Sequence, residues 1–304
     1  MAADLLPFHR DDSGPSVGVI TLFLEQEGKP VVVLNRAFLE KLDRTLDAIG
    51  HPETGFVLAS NAPRAFVAGA DLAEIDALSD EELDDYLKLG SRVYGRIAAF
   101  TCHTVAAING ATLGGGLELA MHCDTLIAAM PRGTPDKPAR PYPIGLPECG
   151  LSICPGWGGT NMLPARVDPA RAILATAKGV PMTVVEAREA GLISQLLDNP
   201  DDLLPLAKER AAKGARDTSV SRQHHEPRNI SLVENVDDVR DGLRRAMPDL
   251  PDTQAANAVV ACIEVGLSSG WKKALEQERA NLIRLRHTPE ARKAIEAFFA
   301  KSKA

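Results

Sequence analysis

The chain has 304 residues, 45% of them hydrophobic, and a net charge of −7, which suits one large buried core, or one domain with an appendage, rather than a disordered chain. The acidic balance argues against binding nucleic acid by neutralising its phosphates. No apolar run approaches the roughly 18–20 residues of a bilayer span, and residues 1–10 lack a secretory pattern, while Asp4, Asp11 and Asp12 speak against a transit peptide.

In chain order, residues 17–24 read as a strand and 31–33 as a short one. Residues 37–49 place Phe38, Leu39, Leu42, Leu46 and Ile49 at helical spacing. Gly55–Ser60 reads as an apolar strand ending in an Asn61-Ala62-Pro63 turn. A long helix over 81–100, a buried strand over 104–109, a helix over 116–123 and a strand over 124–129 follow. This alternation predicts an α/β fold. Six prolines between Pro131 and Pro147 predict an irregular surface loop. Helices then dominate, over Pro169–Lys178, 184–190 and Leu203–Lys213. After a polar linker at 214–230 they continue over 252–268 and 272–286, with Thr288-Pro289-Glu290 as a further helix start. The expected organisation is a core over 1–200 and a helical region over 201–304.

Five cysteines, Cys102, Cys123, Cys149, Cys154 and Cys262, are an odd count in mostly apolar or glycine- and proline-rich settings. They read as reduced thiols of a cytosolic, hence cytoplasmic, protein. His122-Cys123 and Cys102-His103 lack metal-ligand spacing, and His224-His225-Glu226 sits in the polar linker, so no metal is expected. Asp124 reads as a structural cap.

Two glycine-containing elements stand out: Phe66-Val67-Ala68-Gly69-Ala70-Asp71, and Asn109-Gly110-Ala111-Thr112-Leu113-Gly114-Gly115-Gly116-Leu117-Glu118. Glycines without Cβ atoms let a ligand approach main-chain N–H groups, and the first amides of a helix lack internal partners and carry its positive end. Glu118 falls about one turn into that helix, leaning back toward its start. A second carboxylate, Glu148, follows Pro147 and precedes Gly156-Trp157-Gly158-Gly159. Two approachable amides with two glutamates suit enolate chemistry on a thioester: the amides take the developing oxyanion, and the paired carboxyls divide the work of base and acid. Neither Gly-x-Gly-x-x-Gly nor a Walker-type loop occurs, which disfavours nucleotide binding.

These segments resemble the crotonase (enoyl-CoA hydratase/isomerase) superfamily. Phe66-Val67-Ala68-Gly69-Ala70-Asp71-Leu72 is similar to its first oxyanion segment. Ala106-Ala107-Ile108-Asn109-Gly110 with Gly114-Gly115-Gly116-Leu117-Glu118-Leu119-Ala120 is similar to its second, and Leu146-Pro147-Glu148 with Pro155-Gly156-Trp157-Gly158-Gly159-Thr160 to its third. The resemblance covers about residues 17–200. Ile230 to Glu234, Glu276 to Arg292 and Phe298-Phe299 further resemble the end of the hydratase part of multifunctional fatty-acid oxidation proteins, so that the chain looks like a free-standing hydratase module.

The resemblance implies a ββα spiral core with a C-terminal helical region. It implies an enoyl-CoA hydratase acting on an acyl-CoA thioester substrate without a cofactor. Ala70 and Gly115 would supply the oxyanion amides, Glu118 the base that activates water for C3, and Glu148 the proton for C2. The Ala68 carbonyl would receive the adenine amino group of CoA, with Gly69, Asp71, Gly114, Trp157 and Arg64 as further substrate contacts. Ala73 stands where some hydratases place a lysine near the CoA phosphates. Arg132, Lys137 and Arg140 are read as solvated loop charges, with CoA contact as the alternative. Trp157 either limits the acyl pocket or packs in the core. Ile295, Phe298 and Phe299 are read as packing on the core or across a subunit interface. A homotrimer or homohexamer and association with a hydroxyacyl-CoA dehydrogenase are expected, and neither membrane nor nucleic acid. The alternatives are an isomerase or other acyl-CoA enzyme of this fold, and a non-catalytic scaffold or RNA-binding member. The two glutamates disfavour the scaffold, and the charge disfavours RNA.

Overall fold

The computed structural model describes residues 4–63, 65–133, 136, 138–214, 226–234 and 236–302. Arg64, Lys137, His224 and His225 lie outside the described residues.

Two sheets form the core. The larger runs β1 (Phe8–Arg10), β2 (Val19–Leu24), β3 (Gly55–Ser60), β5 (His103–Ile108), β7 (Thr125–Ala129) and β10 (Gln195–Leu197), parallel throughout except that β1 is antiparallel to β2. The smaller runs β4 (Ala65–Val67), β6 (Ala111–Leu113), β8 (Pro143–Gly145) and β9 (Met182–Thr183). The chain visits the large sheet, then the small sheet, then a helix, and repeats this from β3 to β4, from β5 to β6 and from β7 to β8. That is the expected ββα spiral.

Parallel strands buried on both faces read as continuous apolar runs. In β3 and β5, Leu58, Ala106 and Ile108 point into the main core, while Val57, Val105 and Ala107 meet Leu203, Ala207 and Ala211 of helix α8 (Leu203–Lys213) on the other face.

Helix α1 (Arg36–Ile49) starts at Asn35, whose side chain accepts from Phe38 N–H at 2.8 Å, and buries the predicted apolar stripe. The short α2 (Leu72–Ala77) is capped by Asp71. Helix α3 (Asp80–Ala98) opens with a Ser79/Glu82 capping box and buries Leu83, Tyr86, Leu87, Gly90, Val93, Tyr94 and Ile97. Then come α4 (Gly115–Met121), α5 (Gly159–Met162), α6 (Pro169–Lys178) and α7 (Val184–Glu189). After α8 the chain ends in α9 (Val236–Ala246), α10 (Gln254–Ser269), α11 (Trp271–Arg286) and α12 (Pro289–Ser302). Val259, Cys262, Ile263 and Leu285 of these helices build a second core against Ile153, Cys154 and Ile173.

Three expectations are corrected. Residues 31–33 form no strand: the Gln26 side chain donates to the Val33 carbonyl at 2.9 Å and accepts from its N–H at 2.8 Å, and that carbonyl also accepts from Asn35 N–H at 3.1 Å. The proline-rich loop is not irregular to its end: β8 lies inside it, with Pro143 at the strand's first position, where a missing N–H is tolerated. The segment read as a polar linker is docked at its described end, since Asn229 and Ile230 are fully buried and Ile230 N–H donates to the Asn161 carbonyl at 3.1 Å. All five cysteines are free thiols, four of them buried. Asp124 joins β5 to β7, its Oδ2 accepting from Thr104 N–H at 2.7 Å and from Thr104 Oγ1 at 2.8 Å.

Candidate active site

The β6–α4 junction turns at Gly114. Gly114 sits at φ 53°, a left-handed conformation that glycine adopts without penalty, and its N–H donates to the Gly145 carbonyl at 2.9 Å. A Cβ at Gly114 would come within 2.5 Å of Glu148 Oε1, and one at Gly115 would run into the Trp157 ring. Any larger side chain therefore breaks the site from inside. The Gly115 N–H opens α4 and has no partner among the described residues; the same holds for Ala70 N–H, which follows Gly69 at φ 114°. Two free amides thus come from two turns of the spiral.

A cavity of about 490 Å3 is walled by Ala68, Gly69, Ala70, Asp71, Gly114, Gly115, Glu118, Glu148 and Trp157 from the core, and by Leu282, Phe298 and Phe299 from α11 and α12. It brings together every sequence-predicted site residue that the structure describes. Asp71 is tied up as the α2 cap, accepting from Ala73 and Glu74 N–H. Trp157 both lines the cavity and packs in the core. It is buried, packs edge-on against Tyr86 and Tyr94 and donates from Nε1 to the Leu87 carbonyl at 2.9 Å. Arg132 pairs with Asp201 and Arg140 is exposed; neither lines the cavity. Phe298 and Phe299 are more than packing residues, because both face the cavity.

The two glutamates differ. Glu118 is 1% exposed, and its Oε1 accepts from Trp157 N–H and Gly159 N–H, each at 2.8 Å. Burial pushes its carboxyl up to about 7, while those two amides pull the other way. Glu148 Oε2 is buried without a hydrogen bond. Burial, and next the charge of Glu118, push Glu148 well above the usual carboxylate range. The two amides on Glu118 favour its ionised form, and Glu148 Oε2 has no such donor, so the arrangement favours the proton on Glu148. Pairs whose environments separate their acidities in this way divide acid from base.

The far end of α4 is closed by buried cationic and aromatic groups. Arg166 Nη2 donates to the carbonyls of Met121 and Cys123. His122 donates from Nδ1 to the Glu118 carbonyl at 2.8 Å, and burial lowers it to about 4, so it stays neutral. Among the described residues no cluster of His, Cys, Asp and Glu can hold a metal ion, and no helix is long and apolar enough to cross a membrane.

The family model for enoyl-CoA hydratase/isomerase matches residues 15–229. The chain belongs to the enoyl-CoA hydratase/isomerase family. The match runs past the 17–200 expected from the motifs. A fatty acid oxidation complex subunit alpha from Aliivibrio fischeri is 30% identical over 291 residues, covering 92% of this chain and 40% of that protein. The chain therefore spans about two fifths of the length of that relative. A probable enoyl-CoA hydratase from Bacillus subtilis is 36% identical over 202 residues, covering 66% of this chain and 72% of that one. The crystal structure of an enoyl-CoA hydratase from Bacillus anthracis superposes with a TM-score of 0.57 at 26% identity, covering 93% of each chain.

Glu278 is the member of this neighbourhood that motif reading passed over. It is fully buried on α11, accepting from Gly158 N–H at 2.5 Å and from Thr160 N–H at 2.9 Å. Its helical spacing gave no sign, because one glutamate on a polar helix usually faces water.

Proposed function

We propose that the protein is an enoyl-CoA hydratase, adding water across the 2,3 double bond of a 2-enoyl-CoA thioester. The observation that carries this is the meeting of two differently poised glutamates with two unpartnered amides in one largely apolar cavity. The thioester oxygen accepts from Ala70 and Gly115 N–H. As water attacks C3, negative charge collects on that oxygen, where each fixed donor contributes about 2.7–4 kcal/mol. Glu118, held by two amides on Oε1, takes the proton of water. Glu148, kept protonated by burial and by its neighbour's charge, delivers a proton to C2. Ala68 at the mouth suits a contact with the adenine of CoA. Leu87, Leu282, Phe298 and Phe299 suit an aliphatic acyl chain. The wider expectations, an oligomer of three or six chains and association with a hydroxyacyl-CoA dehydrogenase, form part of this proposal. The name of the Aliivibrio relative supports the second of these.

The test is a panel of 2-enoyl-CoA thioesters from short to long chain, read by loss of enoyl absorbance. Hydration of at least one at enzymatic rates is expected; no loss with any would sink the reading. A 3-enoyl-CoA panel tests the second reading, isomerisation. It is favoured by the unpartnered Glu148 Oε2, which suits one carboxyl moving a proton between C2 and C4.

A further inference from the structure

Four consecutive amides, from Trp157 to Thr160, are shared between two buried carboxylates in alternation. Trp157 and Gly159 donate to Glu118, while Gly158 and Thr160 donate to Glu278. Thr160 Oγ1 adds a 2.5 Å bond to Glu278 Oε1, and Asn161 Nδ2 supports that hydroxyl at 2.9 Å. A backbone turn whose successive N–H groups point to opposite sides needs an acceptor on each side, since a buried unpaired amide is costly. The helix that brings Glu278 is seated on the turn itself. Gly158 is at φ 99°, and a Cβ there would strike the ring of Trp271, the first residue of α11.

We propose that Glu278 is a positioning residue. From α11 it clamps the Gly158 and Thr160 amides and so turns the Trp157 and Gly159 amides onto Glu118. Glu278 does not line the cavity. Its effect passes through Glu118 Oε1, which its clamp keeps occupied, leaving Oε2 without a protein hydrogen bond among the described residues. Replacing Glu278 with Gln would keep one acceptor oxygen but turn an NH2 toward a backbone N–H. Replacing it with Asp would keep the charge and withdraw it by one methylene.

The experiment is made on the whole chain, with wild type, Glu278→Gln and Glu278→Asp, the Asp variant serving if Gln does not fold. Amide hydrogen exchange at Trp157 and Gly159 is read by NMR, alongside kcat and KM for a 2-enoyl-CoA. Exchange at both amides is expected to rise about tenfold or more as the turn opens locally. kcat is expected to fall roughly 10–100-fold, part of what acid–base help supplies, with KM within about threefold. Unchanged exchange at the two amides overturns the clamp. So does a loosened turn with unchanged kcat, or a parallel worsening of kcat and KM, which marks an ordinary packing residue. Only the kinetic readings rest on the hydratase proposal. If wild type hydrates no 2-enoyl-CoA, that proposal fails, and the exchange measurement alone still decides for or against the clamp.

Discussion

Residues 66–159 and residues 254–302 meet at one cavity and bring different things to it. The first region brings the groups with chemistry: two free amides on spiral turns and two glutamates. The second brings shape. Leu282, Phe298 and Phe299 wall the cavity, and Glu278 braces the turn behind Glu118 without reaching the cavity. The spiral fixes its groups through short strands and helix starts, where backbone position varies little. The C-terminal helices touch the cavity through side chains, and side chains can be resized without moving the reacting atoms. Changes in the first region should therefore be felt in turnover, and changes in the second in substrate binding or in the geometry of Glu118.

The strongest attempt to break this contrast replaces each carboxyl by an amide that neither takes nor gives a proton. Glu118→Gln keeps an oxygen for the Trp157 and Gly159 amides, and Glu148→Gln is isosteric. Each is expected to slow hydration by roughly 10²–10⁴-fold with the melting temperature little changed. Near-normal turnover in either variant assigns the chemistry elsewhere.

Acid pH disables the Glu118 base reversibly, by protonating it. Glu118 has its carboxyl raised to about 7 and works as base only when ionised. kcat/KM should then fall about tenfold per pH unit below that midpoint. Above it, the rate should hold until Glu148, whose carboxyl burial also raises, loses its proton. The sign matters: a Glu118 whose surroundings did not raise its pKa would keep the rate flat down to the ordinary carboxylate range. A pH–rate series in which Glu118→Gln loses the acid limb checks the assignment.

A smaller loss is expected from Gly115→Ala, whose methyl meets the Trp157 ring and Leu34 beside the free amide. Sub-ångström displacement there should lower kcat/KM about 10–100-fold. Gly95→Ala in α3 is the matched control, since nothing lies within 4 Å of its added methyl; it should leave rates alone and stabilise by about 0.5–1 kcal/mol. Gly266 would be a poor control, because Asn161 Oδ1 lies against it.

The smallest effect sharpens the contrast from the other side. Phe299→Ala should raise KM about 3–10-fold for a long-chain substrate, from lost apolar burial, while kcat stays within about twofold. Phe298 is 45% exposed, and its removal should cost less. A fall in kcat alone at Phe299 would show that the tail takes part in chemistry.

The cavity residues of the first region were legible in sequence because three glycine- and glutamate-bearing segments follow one another in a distinctive order and spacing, and the apolar stripe of α1 announces itself by period. What escaped has local causes. Strands β4, β6 and β8 are three residues each, too short for a pattern, and exist because the neighbouring strand supplies their hydrogen bonds. Residues 31–33 have strand-like composition, but the Gln26 side chain holds the Val33 backbone, and among the described residues only the Val32 carbonyl of the three meets another strand's end, at Ala68 N–H. Phe298 and Phe299 showed helical spacing, which fits a core as well as a cavity wall. Glu278 looked like any helix glutamate, since its partners stand far away along the chain.

That distance has a consequence for how the molecule is built. The bond from Gly158 N–H to Glu278 joins residues 120 apart, whereas Trp157 and Gly159 reach Glu118 across 39 and 41. Loop-closure entropy grows as about (3/2)RT ln n, and distant contacts form slowly. The spiral can thus shape a rough version of the turn around Glu118 first, and the last helices then lock it. On refolding, secondary structure is expected to return before turnover, which must wait for residues 254–302 to pack on the spiral.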